Sequence, residues 1–136
     1  MAKTKSTTPS TRGIVLVKKP GFDWQAVTVD VLHDRGITFK VLQRLVGGYY
    51  EAIRGGNISI ICNEDGRSLK LAPSIGVNVR QGPPLVLLGP VVVVANRYDE
   101  DGAGTYRGIE PGRVAALIGS DMWVGIDKPI RASTAA

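Results

Sequence analysis

Valine, isoleucine and leucine recur along this chain with the spacing of short β-strands. Residues 25–32 alternate between valines and mostly polar residues, which is the pattern of a strand with one buried face. The apolar run at residues 14–17 predicts another strand, which the turn-forming pair Pro20-Gly21 follows. Residues 85–95 are very rich in β-branched residues, so we expect them at the centre of the sheet, with a bend at Gly89-Pro90.

Two further segments have the spacing of short amphipathic helices. Thr38 predicts a helix N-cap, and residues 39–46 then place four apolar side chains on one stripe, namely Phe39, Leu42, Leu45 and Val46. Gly47-Gly48 ends this helix, because glycine adopts the left-handed conformation of a helix C-terminus at little cost. Residues 110–118, which begin with Glu110-Pro111, predict the second helix.

The segment between the helices predicts short strands and turns. Residues 49–53 and 58–62 are typical of two antiparallel strands joined by a glycine-containing turn. Residues 68–72 predict a further brief strand with both of its leucines inward. Residues 73–84 contain several glycines and prolines, so we expect them to form a loop that is interrupted only at residues 77–79.

These elements predict the α+β class and a single domain. We expect a mainly antiparallel, twisted sheet of about five or six strands with two short helices on one face. A chain of 136 residues has the size of one domain. We expect residues 1–13 to form a disordered basic arm, residues 14–130 to form the domain, and residues 131–136 to form a frayed tail.

The net charge of +5 raises the possibility of nucleic-acid binding. Lys3, Lys5 and Arg12 lie in the predicted arm without any acidic residue, so the remaining 14 basic residues face 12 acidic ones. A nucleic-acid-associated protein is therefore an alternative function, in which the arm acts together with four basic residues of the body, Arg44, Arg54, Arg67 and Lys70. We expect such binding to be weak and strongly salt-dependent.

The apolar segments are all shorter than the roughly 20 residues of a membrane-spanning helix. The N-terminus also lacks the apolar core of a secretory signal. We therefore expect a soluble, cytoplasmic protein that does not associate with membranes.

The chain offers little for catalysis, since it has one histidine, His33, and one cysteine, Cys62. A single cysteine forms neither an internal disulfide nor a cysteine-built zinc site. Residues 63–66 and 99–102 group acidic side chains, but both are typical of turns, and we expect no metal and no other cofactor. The sequence favours a non-enzymatic protein with no catalytic residues, and a small enzyme that uses Cys62 and His33 is the catalytic alternative.

Candidate binding residues lie on the predicted hairpin and in the turn that follows it. Aromatic and arginine side chains can stack on a ligand, and carboxylate or amide groups can accept or donate hydrogen bonds. The candidates are Tyr49, Tyr50, Glu51, Arg54, Asn63 and Glu64.

Three stretches of the sequence resemble a known family. They are LQRLVGGYYE at residues 42–51, CNEDG at residues 62–66 with Leu71 and Pro73 after it, and GPVVVV at residues 89–94. In this order and spacing they resemble domain-of-unknown-function family 3846, over about residues 27–118. The chain departs from the family pattern at Ser74, where an asparagine is usual, and in the Gly- and Pro-rich residues 75–84.

This resemblance implies an accessory protein of a mobile element, because the family consists of small proteins of bacteriophages and plasmids. It implies no catalytic residues. Our leading hypothesis is a non-enzymatic protein that binds a host macromolecule or a small signalling ligand. One version of this hypothesis is that the binding counters host defence. The expected partner is thus a host protein or a signalling ligand in the cytoplasm of the host cell, and assembly into a homo-oligomer is left open.

Overall fold

Antiparallel strands make up most of the computed structural model, which describes residues 10–79, 81–98, 102 and 104–125. The strands are β1 (Ser10–Lys18), β2 (Gln25–Leu32), β3 (Tyr50–Gly55), β4 (Ile58–Asn63), β5 (Pro73–Val77), β6 (Leu85–Leu88), β7 (Val91–Tyr98), β8 (Gly104–Arg107) and β9 (Trp123–Val124). The helices are α1 (Phe39–Val46) and α2 (Val114–Ile118), and a 3-10 turn (Pro111–Arg113) precedes α2. The predicted α+β class is confirmed.

The main sheet has six strands and is antiparallel throughout. Its order is β2-β1-β7-β4-β3, and β8 pairs with the second half of β7. The predicted central strand is confirmed, because residues 91–94 of β7 are valines without solvent exposure. The predicted bend is confirmed too: Gly89 has a φ of 74° and separates β7 from β6, which belongs to another sheet.

A second sheet, with the order β9-β5-β6, covers one face of the main sheet. Along β7, Val92 and Val94 pack on the side of α1, whereas Val91 and Val93 pack against the small sheet and α2. The prediction of both helices on one face was therefore wrong. Each helix has one apolar stripe, but the stripe does not specify which face of a doubly covered sheet it meets.

Helix α1 begins and ends as predicted. The Thr38 side chain accepts a hydrogen bond from the Val41 amide at 3.4 Å, and Gly47 ends the helix with a φ of 83°. Leu42 and Val46 are buried, but Phe39 is 50% exposed, in contrast to its predicted core position. The Phe39 ring contacts the rings of Tyr49 and Tyr50 instead of the core.

The predicted strand at residues 68–72 was wrong, because this segment forms a series of turns. The Leu69 amide donates to the carbonyl of Asp65 at 2.8 Å, and Lys70 adopts a left-handed φ of 57°. Leu69 is 57% exposed. The strand lies further along the chain, as β5, inside the segment that was predicted as a loop, where Ile75 and Val77 are buried.

The domain begins earlier than predicted. Strand β1 starts at Ser10 rather than residue 14, and Arg12 is paired with Asp30 of β2. The part of the predicted arm from Ser10 to Gly13 is therefore ordered sheet, because polar residues at an exposed strand end can still complete a ladder with β2. The rest of the predicted arm and the predicted tail lie outside the described residues. None of the described helices has the length and apolar character needed to cross a membrane.

We expect a chain that starts at Gly13 to be less stable than one that starts at Ser10. The shorter chain loses the pairs that Ser10, Thr11 and Arg12 form with β2, each worth roughly 0.2–1 kcal/mol. The midpoint of thermal unfolding should fall by about 4 °C. Circular dichroism of both chains tests this, and equal midpoints would show that this end of β1 contributes nothing.

We also expect Val92→Asp to prevent folding. Val92 is fully buried, and an unpaired carboxylate there costs several kcal/mol against a total stability of about 5–15 kcal/mol. Thr28→Asp on the exposed face of β2 is the control and should fold normally. A cooperative unfolding transition of Val92→Asp at the wild-type midpoint would contradict the central position of β7.

Candidate functional site

Strand β3 divides the predicted binding residues between the two faces of the sheet. Alternation along the strand places Tyr50 and Arg54 on the side of α1, whereas Glu51 lies on the side of Cys62. Tyr49 lies just before β3 and is 61% exposed. The structure therefore brings Tyr49, Tyr50 and Arg54 to one surface and separates Glu51 from them.

One end of this surface is a cluster of three aromatic rings. The centroid of the Phe39 ring lies 5.4 Å from that of Tyr50 and 6.3 Å from that of Tyr49, with tilted ring planes. Burial raises the pKa of Tyr50, and Tyr106 adds to the increase. The Tyr50 phenol therefore stays protonated at neutral pH and keeps its hydrogen-bond donor. The rings support each other while leaving Phe39 and Tyr49 open to solvent.

The other end of the surface is an arginine stacked on a tyrosine. The guanidinium carbon of Arg54 lies 5.6 Å from the centroid of the Tyr98 ring, which is a cation–π distance. Tyr98 is 47% exposed. Tyr50 and Arg54 are four positions apart along the strand, which corresponds to about 13 Å. We name Phe39, Tyr49, Tyr50, Arg54 and Tyr98 together the aromatic–arginine surface.

The side chain of Asn96 fixes the hairpin that carries Arg54. Its amide nitrogen donates to the carbonyls of Gly56 at 3.1 Å and Ile58 at 2.8 Å, and its oxygen accepts from the Ser59 hydroxyl at 2.6 Å. Because Asn96 lies on β7, these bonds attach the β3–β4 turn to the central strand. Arg54 thus lies at the end of β3, next to a turn that Asn96 anchors.

Asn63 has a structural role, and it also lines a cleft with Glu51 and Cys62. It is buried, its amide donates to the Val46 carbonyl at 3.1 Å, and its oxygen accepts from the Asp65 amide at 2.7 Å. A Cβ atom on Gly48 would lie 3.2 Å from the Asn63 amide nitrogen. Asn63 therefore joins the end of α1 to the turn after β4, which makes the two sequence motifs around it one packed unit.

Glu64 is exposed, and its backbone amide donates to the Tyr49 carbonyl at 3.0 Å. Its backbone therefore helps to position Tyr49. Together with Glu51, Cys62 and Arg67 it lines a cleft of about 350 Å³ on the opposite side of β3.

Cys62 and His33 lie far apart. Cys62 lies in β4, where it pairs with Val91 of β7, whereas His33 follows the end of β2. Both β1 and β7 lie between β2 and β4 in the sheet. Three strand spacings correspond to about 14 Å across the sheet. Burial raises the pKa of the Cys62 thiol to about 11, and the Glu51 carboxylate adds to the increase by its charge and by accepting a hydrogen bond from the thiol. The structure thus does not form the Cys62–His33 pair of the catalytic alternative.

The basic residues of the nucleic-acid alternative that the structure describes are spread over several elements. Arg12 lies on β1 and donates to Asp30 of β2 at 3.1 Å. Arg54 lies on β3, and the strands β7 and β4 separate β3 from β1. Arg44 is exposed on α1, and Arg67 and Lys70 are exposed in the turns after β4. Lys3 and Lys5 lie outside the described residues.

No group of three His, Cys, Asp or Glu side chains in the described part of the chain is arranged to hold a metal ion. Asp99, Glu100 and Asp101 are outside that part. Sequence reasoning missed Phe39 and Tyr98, the former because it fits the apolar stripe of α1. Tyr98 shares the alternation of Val92 and Val94 along β7, which is the signal that would have placed it on the side of α1.

The family described as domain of unknown function (DUF3846) matches residues 12–107, so the chain belongs to this family. The match begins earlier and ends earlier than the sequence motifs suggested, and it runs from β1 to the end of β8. No curated protein and no solved structure matches the chain.

The departure from the family pattern at Ser74 lies in the interior. Ser74 is 2% exposed, and its hydroxyl donates to the Gly89 carbonyl. This contact ties β5 to the bend before β7.

We expect the rate of Cys62 alkylation by iodoacetamide to rise about tenfold per pH unit from pH 8 to pH 10. The thiolate is the reacting species, and its pKa of about 11 lies above this range. The unfolded protein, with an ordinary thiol pKa of about 8.5, should level off within the range. Glu51→Gln removes the neighbouring charge and should lower the pKa of Cys62. Mass spectrometry measures the rates, and a plateau near pH 9 in the folded wild type would contradict the raised pKa.

Proposed function

We propose that this protein is non-enzymatic and binds a protein of its host cell through the aromatic–arginine surface. The observation that carries the proposal is the assembly of exposed rings and one arginine on one side of β3. Together with the family resemblance, it suggests an accessory protein of a phage or plasmid that acts in the host cytoplasm.

The composition of the surface supports a protein partner. Tyrosine and arginine are enriched among the residues that contribute most to protein–protein binding. The rings of Phe39, Tyr49 and Tyr50 already pack against each other, and Arg54 already rests on Tyr98. Little side-chain freedom is therefore lost on association, which lowers the entropic cost of binding.

The edge of the main sheet adds a second recognition element. Within the described residues, β3 is hydrogen-bonded to β4 alone. The outer backbone groups of an edge strand can pair with an extended segment of a partner. An extended segment added along β3 would lie beside Tyr50, Ala52 and Arg54, whose side chains alternate toward α1.

The properties of the chemically reactive residues support binding rather than catalysis. The Cys62 thiol is buried with a raised pKa, which is opposite to the lowered pKa of a nucleophilic cysteine. His33 lies at the other end of the sheet order. A binding role needs no reactive group.

Single-stranded nucleic acid is the second candidate partner of the same surface. Helix α1 carries Lys40 and Arg44 and no acidic residue, and aromatic rings can stack on bases for roughly 1–3 kcal/mol each. Against it, Glu64 adjoins Tyr49, and the other basic residues are dispersed. We therefore rank a protein partner first.

We expect Tyr49→Ser to abolish capture of the partner, with Phe22→Ser as the matched control. Both rings are more than half exposed, but Phe22 lies in the turn after β1 and outside the aromatic–arginine surface. Truncation of an aromatic residue that contributes strongly to binding costs about 2 kcal/mol or more, which is roughly a 30-fold loss of affinity. The full chain and both variants are immobilised and exposed to nuclease-treated host lysate. The bound proteins are identified, and their affinities for the three chains are then measured in purified form.

A protein held by the wild type and by Phe22→Ser, but lost with Tyr49→Ser, supports the proposal. A purified partner that binds Tyr49→Ser and wild type equally would refute it. Binding of a labelled single-stranded oligonucleotide that Tyr49→Ser removes, with no protein captured, would instead favour the second candidate.

A further inference from the structure

A separate cleft lies where β8 replaces β1 beside the central strand. Strand β7 pairs with β1 at Leu16–Lys18 and, further along the same side, with β8 from Ala95 to Tyr98. The first half of β1 therefore leaves β7, and a cleft of about 570 Å³ opens between it and the segment after β8. This cleft shares no residue with the aromatic–arginine surface.

Two glycines close one end of the cleft by bringing backbones into contact. A Cβ atom on Gly108 would lie 2.9 Å from both the Gly13 Cα and the Ile14 nitrogen. Just beside this contact, the Ile109 amide donates to the Ile14 carbonyl at 2.7 Å. The narrow end of the cleft is therefore built from main chain.

Arg107 also lines the cleft, and its guanidinium group is hydrogen-bonded to protein oxygens. The guanidinium of Arg107 donates to the carbonyls of Leu32 at 2.9 Å and His33 at 3.2 Å, and its Nε donates to the Thr105 hydroxyl at 3.1 Å. These acceptors are uncharged, so the positive charge of Arg107 is not neutralised by them. The side chain acts as a rigid, positively charged wall.

Two other arginines line the cleft with exposed side chains. Arg97 is exposed and forms no salt bridge with any described residue. Arg12 forms an ion pair with Asp30, but the two side chains are 66% and 62% exposed. An ion pair this exposed contributes little, so Arg12 can turn to a stronger acceptor.

The lining matches an anion that carries an apolar part. Among the described residues, the lining contains three guanidinium groups and one carboxylate, that of Glu110. The apolar part of the lining comprises Ile14, Val31, Ala95, Ile109 and Pro111, and Thr11, Asn96 and the two glycines complete it. Ligand clefts of this size typically combine an apolar lining with a few polar groups that fix the ligand.

We propose that this cleft binds a small phosphorylated molecule. Arg12 and Arg97 hold the phosphate, and the charge of Arg107 attracts it electrostatically. The ring or chain of the ligand lies on the apolar lining. A phosphate monoester carries about −1.5 to −2 charges at pH 7 and can engage two guanidinium forks at once, whereas a monocarboxylate is satisfied by one. The net positive lining therefore fits a phosphate better.

Isothermal titration calorimetry of the full chain with three probes tests the proposal, namely adenosine monophosphate, inorganic phosphate and adenosine. We expect adenosine monophosphate to bind more tightly than phosphate, and adenosine to bind least. Arg97→Gln and Arg12→Gln should each weaken adenosine monophosphate binding at least tenfold. Arg67→Gln is the matched control, because Arg67 is an exposed arginine that lines the other cleft, and it should bind like the wild type.

Unchanged unfolding midpoints would show that the variants are folded. Absence of saturable binding by both phosphate probes would overturn the proposal, and so would wild-type affinity in Arg12→Gln and Arg97→Gln. Adenosine binding as tightly as adenosine monophosphate would overturn the role of the phosphate. Tyr49→Ser should retain binding, so the outcome is independent of the proposed protein partner.

Discussion

The burial of β7 on both faces is the constraint on which the rest of the fold depends. Residues 91–94 have no solvent exposure, and β1 and β4 flank them in the sheet. A strand with valines on both faces must be covered twice. Helix α1 covers Val92 and Val94, and the small sheet together with α2 covers Val91 and Val93. The two helices therefore contribute to the covers of opposite faces.

The aromatic–arginine surface depends on polar contacts that fix its supporting elements. Asn63 joins the end of α1 to the turn after β4, and Asn96 holds the β3–β4 turn against β7. The buried Asn63 amide is satisfied by backbone groups, as buried polar side chains require, and Asn96 bonds to two carbonyls and to the Ser59 hydroxyl. The family motifs around residues 42–51 and 62–66 therefore serve the fold, while the neighbouring exposed rings are available to a partner.

Features set by local chemistry could be predicted from the sequence. The N-cap at Thr38, the glycine end of α1 and the bend at Gly89 each depend on a few adjacent residues, and all three were confirmed. Features set by distant partners could not be predicted. Strand β5 contains proline and glycine and becomes a strand by pairing with β6 and β9.

The candidate sites show the same limit. Tyr49, Tyr50 and Arg54 could be proposed from the sequence because they lie close together in it. Phe39 and Tyr98 join them only through the packing of α1 and the register of β7. The arginine-lined cleft could not be predicted, since its residues come from opposite ends of the chain and meet only where β1 separates from β7.

The contact between the backbones of Gly13 and Gly108 sets the shape of that cleft, whereas the arginine side chains set its charge. Because main-chain atoms set the spacing at its narrow end, Arg12 and Arg97 can be replaced without moving the walls. The charge at the mouth of the cleft can thus be changed without a change in the shape of the cleft. A redesigned pair of side chains at these two positions could give the same scaffold a neutral or cationic ligand.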